Sequence, residues 1–444
     1  MADTTTPAAV VADTGLIRAI GVRGLSANVV NNVVGSGIFV LPAIVAATLG
    51  ASAIIAYIIC AIAIGLIGLT FSEAGSRVSA PGGTYAYAEA AFGPYVGFLS
   101  GILFWLSQFG ASAAIATVFA GSLAAIAPSL GATVPRVMML VILYGGLAVF
   151  NIRGVRTGMD IVEIITAAKL LPLIILVAVG AFFVTPAHLV WTSMPTVAQV
   201  GSASLVLVFA FTGVEGALTS SGEVRNPSRT VPRAILIGLG AVSLLYIAVQ
   251  LVAEGVLGPD LALNQNAPLV AVAGRTLGPA GRILLGVGAA VSAFGYVSGD
   301  ILTTPRLLFA FARDGFLPKR LASVNPRFHS PAAAIVVYAT LTCALAITGT
   351  FRTLVILSTV SILLVYLITC LASIQLTRRD VRADGPPFRL PGGPIVPLMA
   401  CVVVVWMLTS ASRREYISVA VAVVVASVLY VIRPRRAGDA AASG

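Results

Sequence analysis

Three residues, Gly35, Ser36 and Gly37, lie in the middle of the first long apolar segment, roughly Gly21 to Leu49. Two glycines around a serine are poor material for the middle of a helix. If the helix opens there, backbone N–H and C=O groups are freed, and hydrocarbon holds no water to satisfy them. The start of the outer half-helix then presents N–H groups with partial positive charge, which suits a carboxylate. A second such stretch, Phe209-Ala210-Phe211-Thr212-Gly213-Val214-Glu215-Gly216, falls in the sixth apolar segment. Opened carbonyls around Phe209 to Thr212 can accept hydrogen bonds from an ammonium. Together the two breaks would hold both ends of an α-amino acid. Glycines also serve close helix packing in membranes, so it is the symmetric pair that carries the reading.

Three ionisable residues stand inside apolar segments. Glu215 belongs to the second break, and intramembrane carboxylates are rare and usually functional. It reads as a gate strut or a cap on broken backbone in preference to a proton carrier. Lys169 lies about 13 Å of helical rise beyond Asp160, and Asp300 about 9 Å before Arg306. The two would sit at similar depth, either as a buried ion pair or with separate tasks: Lys169 where a sodium ion would sit, Asp300 facing the substrate. Thr303 and Thr304 follow Asp300 and can hydrogen-bond near Lys169, although mid-membrane threonines usually bond their own helix. Phe209, Phe211, Trp105 and Phe294 are candidate shutters of a cavity.

These residues need a membrane scaffold to position them. Of 444 residues 58% are hydrophobic and 10% charged, with mean hydropathy +1.02; soluble domains are about 25% charged. Apolar runs near 20 residues, enough for about 30 Å of hydrocarbon, recur along the chain. Twelve spans are expected, at about 21–47, 51–74, 94–127, 136–153, 161–184, 199–221, 233–257, 281–310, 331–349, 353–376, 395–411 and 416–433. With the N-terminus inside, 20 basic residues fall on the cytoplasmic side and 6 outside. That bias favours both termini in the cytoplasm and an even span count. Breaks in spans 1 and 6 occupy equivalent places five spans apart, so the halves run in opposite directions. Paired interruptions in an inverted repeat point to a transporter with a midplane site.

Other classes are excluded cheaply. The net charge of +11 is spread over short loops, a topological signal that does not call for a nucleic-acid partner. Cys60, Cys343, Cys370 and Cys401 all lie in apolar segments without Cys-x-x-Cys spacing, and His188 and His329 are isolated in loops, so no metal site or cofactor is expected. Lys169 and Lys319 are followed by Leu170 and Arg320, so no P-loop exists, and the sequence has no His-Glu-x-x-His, Gly-x-Ser-x-Gly or Gly-x-Gly-x-x-Gly. An enzyme is not expected. The stretch Met1 to Gly15 is small and polar, reads as disordered, and lacks the pattern of a cleaved signal peptide.

Several motifs in order then resemble a known family. They are Gly35-Ser36-Gly37-Ile38-Phe39, Ala80-Pro81-Gly82-Gly83-Thr84-Tyr85-Ala86-Tyr87, Phe211-Thr212-Gly213-Val214-Glu215, Asn226-Pro227-Ser228-Arg229-Thr230-Val231-Pro232, and Ala312-Arg313-Asp314-Gly315-Phe316-Leu317-Pro318. The chain resembles the amino acid–polyamine–organocation transporters of the leucine-transporter fold, and is similar to their arginine/agmatine antiporters and prokaryotic cationic and L-type branches. The resemblance implies an all-α membrane protein of twelve transmembrane helices: a five-plus-five inverted repeat with broken helices 1 and 6, plus two peripheral helices. The expected division is a tail over 1–15, a first repeat over 16–190, a second over 191–390, the last two helices over 391–434 and a tail over 435–444.

Carried onto matching positions, Gly35, Ser36 and Gly37 would bind the substrate carboxylate, and carbonyls of Val33, Phe209 and Thr212 its amine. Phe209 would be an aromatic lid, Glu215 the gate carboxylate, and Ser112 and Ile115 the side-chain pocket. Lys169 resembles a lysine that replaces sodium in some members. Two departures stand out: the antiporter's lid is tryptophan, and Asp300 falls where that antiporter has an aromatic residue. The implied protein is an amino acid permease of the bacterial inner membrane, sodium-independent, working by exchange or proton symport. Its partners are a small-molecule amino acid and the lipid bilayer, and its oligomeric state lies between monomer and homodimer. The rivals are a polyamine or organocation transporter, which needs no carboxylate grip at Ser36, and a non-transporting amino acid sensor on the same scaffold.

Overall fold

A computed structural model of the chain describes residues 21–78, 83–153, 159–191, 193–215, 224, 227–382, 387–390 and 392–432, with the helix path alone at 159–167 and 227–228. Both terminal tails, Ala80-Pro81-Gly82, Gly216, Arg225 and Asn226 lie outside the described residues. Among the described residues every regular element is helical.

Helix α1 (Val22–Val33) ends where Val34 and Gly35 turn extended, with ψ 94° and −176°. A 3-10 turn (Ser36–Phe39) and α2 (Leu41–Leu49) resume the segment. Pro42 sits in the first turn of α2, where its missing N–H costs nothing. Then come α3 (Ile54–Arg77), the short α4 (Thr84–Phe92) and α5 (Pro94–Ile126). At 33 residues, α5 is about 50 Å long and must tilt or protrude from the bilayer. Helices α6 (Thr133–Ile152) and α7 (Met159–Gly180) follow.

A reciprocal capping box between Thr196 and Gln199 starts α8 (Val197–Leu207), satisfying N–H groups that the first turn leaves orphaned. A 3-10 turn (Val208–Phe211) continues it, and the path then breaks at Thr212 (ψ 158°) and Gly213 (φ +111°). The chain proceeds through α9 (Pro227–Leu257) and α10 (Pro268–Thr303). The latter is two helices joined at Gly278, whose φ of +67° is ruled out for most side chains, with Pro279 next. The eighth apolar segment, 281–310, begins beyond that bend and runs across a second helix boundary at Thr304. Helices α11 (Pro305–Arg313), α12 (Ala332–Thr348), α13 (Phe351–Arg378), α14 (Ile395–Thr409) and α15 (Arg413–Ile432) complete the chain.

Among the described residues, seven helical stretches are long and apolar enough to cross a membrane, and four shorter apolar helices accompany them. Burial separates centre from rim: 67% of the apolar window in Phe351–Arg378 is buried, against 11% in Arg413–Ile432. So α13 is central, packed on α5, while α15 turns Val421, Val424 and Val431 outward. Such apolar faces fit lipid and would be a liability in water.

The centre packs by close backbone approach. A Cβ on Gly238 of α9 would lie 2.7 Å from Val29 of α1 and 3.1 Å from the Ser26 carbonyl. Gly240, one turn-face away, meets nothing within 4 Å. Overpacking costs typically about 1–3 kcal/mol. Thermal melts in detergent are therefore expected to show Gly238→Ala several degrees below wild type, and Gly240→Ala at or above it.

Candidate functional site

The two breaks touch. A Cβ on Gly213 would lie 2.5 Å from the carbonyl oxygen of Asn32, so the turn in the sixth segment rests directly on the end of α1. With its φ of +111°, this position tolerates glycine alone. A Cβ on Gly37 would meet the Phe209 ring at 3.1 Å, so that ring lies across the first break. Phe209 is buried and packs edge-on against Phe351, ring centroids 6.3 Å apart.

Opened carbonyls find donors from neighbouring helices. The Tyr246 hydroxyl of α9 reaches the carbonyls of Val33 and Ala210, both at 3.1 Å. One O–H carries one proton, so the two carbonyls share it. Lys169 of α7 donates to the Asn31 carbonyl at 2.5 Å. Thr212 donates to the Phe209 carbonyl at 2.8 Å. Val33 and Phe209 each retain a second carbonyl lone pair.

Ser36 starts the 3-10 turn, where the first N–H groups have no upstream carbonyl in the turn. Its side chain is fully buried, and its Oγ has no hydrogen-bond partner among the described residues. Buried hydroxyls are ordinarily bonded. A lone hydroxyl beside freed N–H groups is a receptor for an acceptor such as a carboxylate. Glu215 behaves as a strut: it accepts from the Gly213 N–H at 3.1 Å and from Tyr366 of α13 at 2.8 Å.

Asp300 sits apart from the breaks' donors. It accepts from Tyr338 of α12 at 2.6 Å and from Thr304 at 2.5 Å. Among the described residues it forms no ion pair with Lys169, whose proton goes to Asn31. Of the two arrangements expected, a buried ion pair or separate roles, the hydrogen bonds give Asp300 and Lys169 separate partners. Thr303 is exposed and bonds the Gly299 carbonyl of its own helix at 3.0 Å, away from Lys169, whereas Thr304 serves Asp300. Ser112 and Ile115 are buried on α5, with Ser112 Oγ 3.3 Å from Tyr144 OH. Phe294 is 42% exposed and faces outward, and Trp105 stacks on Phe109, so Phe209 is the aromatic that covers the first break.

The partners unseen in the sequence are mostly tyrosines: Tyr144, Tyr246, Tyr338 and Tyr366. An apolar segment carrying a buried phenol was the signal, because a buried phenol needs a hydrogen-bond partner. A second buried polar cluster was also missed. Glu73 accepts from Ser373 at 2.9 Å, and Arg77 donates to the Val381 carbonyl at 3.2 Å, joining α3 to the end of α13. Outside the helices, hydrogen bonds from Arg382 hold the Asp380 carboxyl below the usual carboxylate range. Glu73 and Arg77 were readable from their i, i+4 spacing at a helix end.

Comparison with known proteins is consistent with this geometry. A Bacillus subtilis serine/threonine exchanger is 29% identical over 399 residues, covering 87% of this chain and 90% of the exchanger. A methylthioribose transporter of the same organism is 27% identical over 425 residues, covering 91% and 90%. A Pseudomonas aeruginosa arginine/ornithine antiporter is 30% identical over 314 residues, covering 68% and 65%. The amino acid permease family model matches residues 20–432. With two broken helices in contact, apolar spanning helices and this full-length match, the chain belongs to the amino acid permease family of the amino acid–polyamine–organocation superfamily.

Proposed function

We propose that this protein is a sodium-independent amino acid permease of the bacterial inner membrane, with both termini cytoplasmic, that works by alternating access through exchange or proton coupling. Twelve spans in a five-plus-five inverted repeat with two peripheral helices would rock around the paired breaks. The carrying observation is Ser36, a buried hydroxyl with no partner among the described residues, at the start of a helical turn inside the first break. Ser36 and the N–H groups of Gly35 and Gly37 take the carboxylate, and free lone pairs on Val33, Phe209 and Thr212 take the ammonium. Phe209 closes over the ligand, and Glu215 ties the sixth-segment break to α13. A polyamine has no carboxylate to use that hydroxyl, which ranks it second.

A neutral side chain fits the pocket better than a cationic one. Each Asp300 carboxylate oxygen already accepts a hydrogen bond, from Thr304 and from Tyr338, so part of its charge is compensated within the protein. Ser112 and Ile115 then face a small neutral group. Likeness to a serine/threonine exchanger supports the same direction. Lys169 donates to the Asn31 carbonyl beside the break, filling with its own ammonium a place where a bound cation would otherwise lie. That supports sodium independence.

Proteoliposomes loaded with unlabelled amino acids provide the test. Counterflow of a labelled amino acid panel is expected for small neutral members, equal in sodium and in choline. No counterflow or binding of any amino acid contradicts the reading, and strict sodium dependence contradicts the role of Lys169. Ser36→Ala is expected to weaken apparent affinity by about ten- to a hundredfold, the loss of one hydrogen bond to a charged group at about 1.5–3 kcal/mol. Tyr246→Phe leaves two opened carbonyls without their donor, and both melting temperature and exchange rate should fall. Asp300→Asn should retain counterflow of neutral amino acids, and its loss with a normal melting temperature would return Asp300 to the substrate.

A further inference from the structure

One face of α9 carries Tyr246, Gln250 and Glu254 at successive spacings of four, so the three side chains form a stripe about 12 Å long. All three are buried in a helix that packs against α1 and α3. At one end Tyr246 bridges the two breaks. In the middle, Tyr57 of α3 donates to Gln250 Oε1 at 3.0 Å. Gln250 Nε2 and Glu254 Oε2 are both buried without a hydrogen-bond partner among the described residues. Glu254 is 5% exposed and lies near the end of α9 that the charge bias places outside.

An ionised carboxylate in that setting has no donor to compensate its desolvation, and a proton removes the cost. The polarity of the stripe adds a second state. Tyr57 donates to Gln250 Oε1, which leaves Gln250 Nε2 as a buried donor without a partner among the described residues, one turn from Glu254. An ionised Glu254, one turn away, completes the chain by accepting from it. Protonation of Glu254 weakens that link, because a neutral carboxyl is a poorer acceptor than a carboxylate.

The charged surroundings are sparse. His188, on the turn after α7, is the cation-forming group that faces Glu254. Its Nδ1 lies 2.9 Å from the Gly255 carbonyl and its ring packs on Gly258. Asp260, on the following turn, and Arg275 and Arg282 of α10 are exposed. Helix α2 and the adjoining ends of α3 and α7 carry no charged residue, and the only one in α1 is Arg23 in its first turn.

We propose that Glu254 is an outward-facing proton-binding site, read by Gln250, that couples external pH to the α3–α9 contact beside the helix breaks. A proton from outside water bonds to the Glu254 carboxylate and no other bond changes. The link to Gln250 then weakens, freeing Tyr57 and Gln250 to shift against Tyr246. This rests on the permease reading above and selects proton coupling within it.

Two readouts test it on the purified full chain. Infrared difference spectra need no substrate. A protonated-carboxyl band should follow external pH and vanish in Glu254→Gln. Serine counterflow should depend on external pH in wild type. In Glu254→Gln, an isostere of the protonated acid, it should stay at the acidic level at every pH. Gln250→Leu should keep the infrared band and lose the pH dependence. Persistence of the band in Glu254→Gln overturns the site, as does full pH dependence of counterflow in that variant. Absence of any amino acid counterflow at equal pH overturns the permease reading instead, while the infrared band still decides the site.

Discussion

Broken backbone inside hydrocarbon must be satisfied by the protein itself. This constraint governs the whole structure. Two helices open at Val34-Gly35 and at Thr212-Gly213, and each opened end is met by a donor from elsewhere. Tyr246 serves Val33 and Ala210 together, Lys169 serves Asn31, and Thr212 serves Phe209. The breaks also support each other, because Gly213 rests on the carbonyl of Asn32. What remains after these donors are counted is the share the proposal gives to a ligand: the Ser36 hydroxyl, the first N–H groups of its turn, and second lone pairs on a few carbonyls.

The donors come from different helices, which the proposed alternating access would move against one another. Tyr246 sits on α9 and Lys169 on α7, and Glu215 reaches Tyr366 on α13. Each contact fastens a break to a different neighbour, so a rocking motion has to trade some of these bonds for others. The second buried cluster, Glu73 and Arg77 at the far end of α3, fastens α3 to the end of α13. Buried polar contacts of this sort have two discrete arrangements more readily than a continuous range. That supports a small number of states rather than a loose bundle.

Much of this was legible in the sequence, for specific physical reasons. Glycine pairs around Ser36 and Gly213 stood out because apolar spans otherwise avoid helix breakers. Lys169 and Asp300 stood out because charge is rare in such spans. Their partners did not follow from depth alone. Equal rise along two helices says nothing of azimuth, and Asp300 turned to Tyr338 while Lys169 turned to Asn31. Thr303 and Thr304 are adjacent, yet the helix sends one outward and the other to Asp300. The tyrosines were hidden because tyrosine is counted with the hydrophobic residues in composition, which conceals its hydroxyl. Glu254 was hidden because it lies close to a helix end, where carboxylates are ordinary.

The central claim is that the paired breaks hold the carboxylate and the ammonium of one α-amino acid. Competition for binding of a labelled small neutral amino acid tests it most directly, using its amide, its N-acetyl form and its decarboxylated amine as competitors. The account predicts that the parent amino acid competes and that all three derivatives fail, because each removes one of the two charged ends. Competition by the decarboxylated amine as strong as that of the parent would contradict it, since Ser36 and its N–H groups would then have no ligand atom to bind.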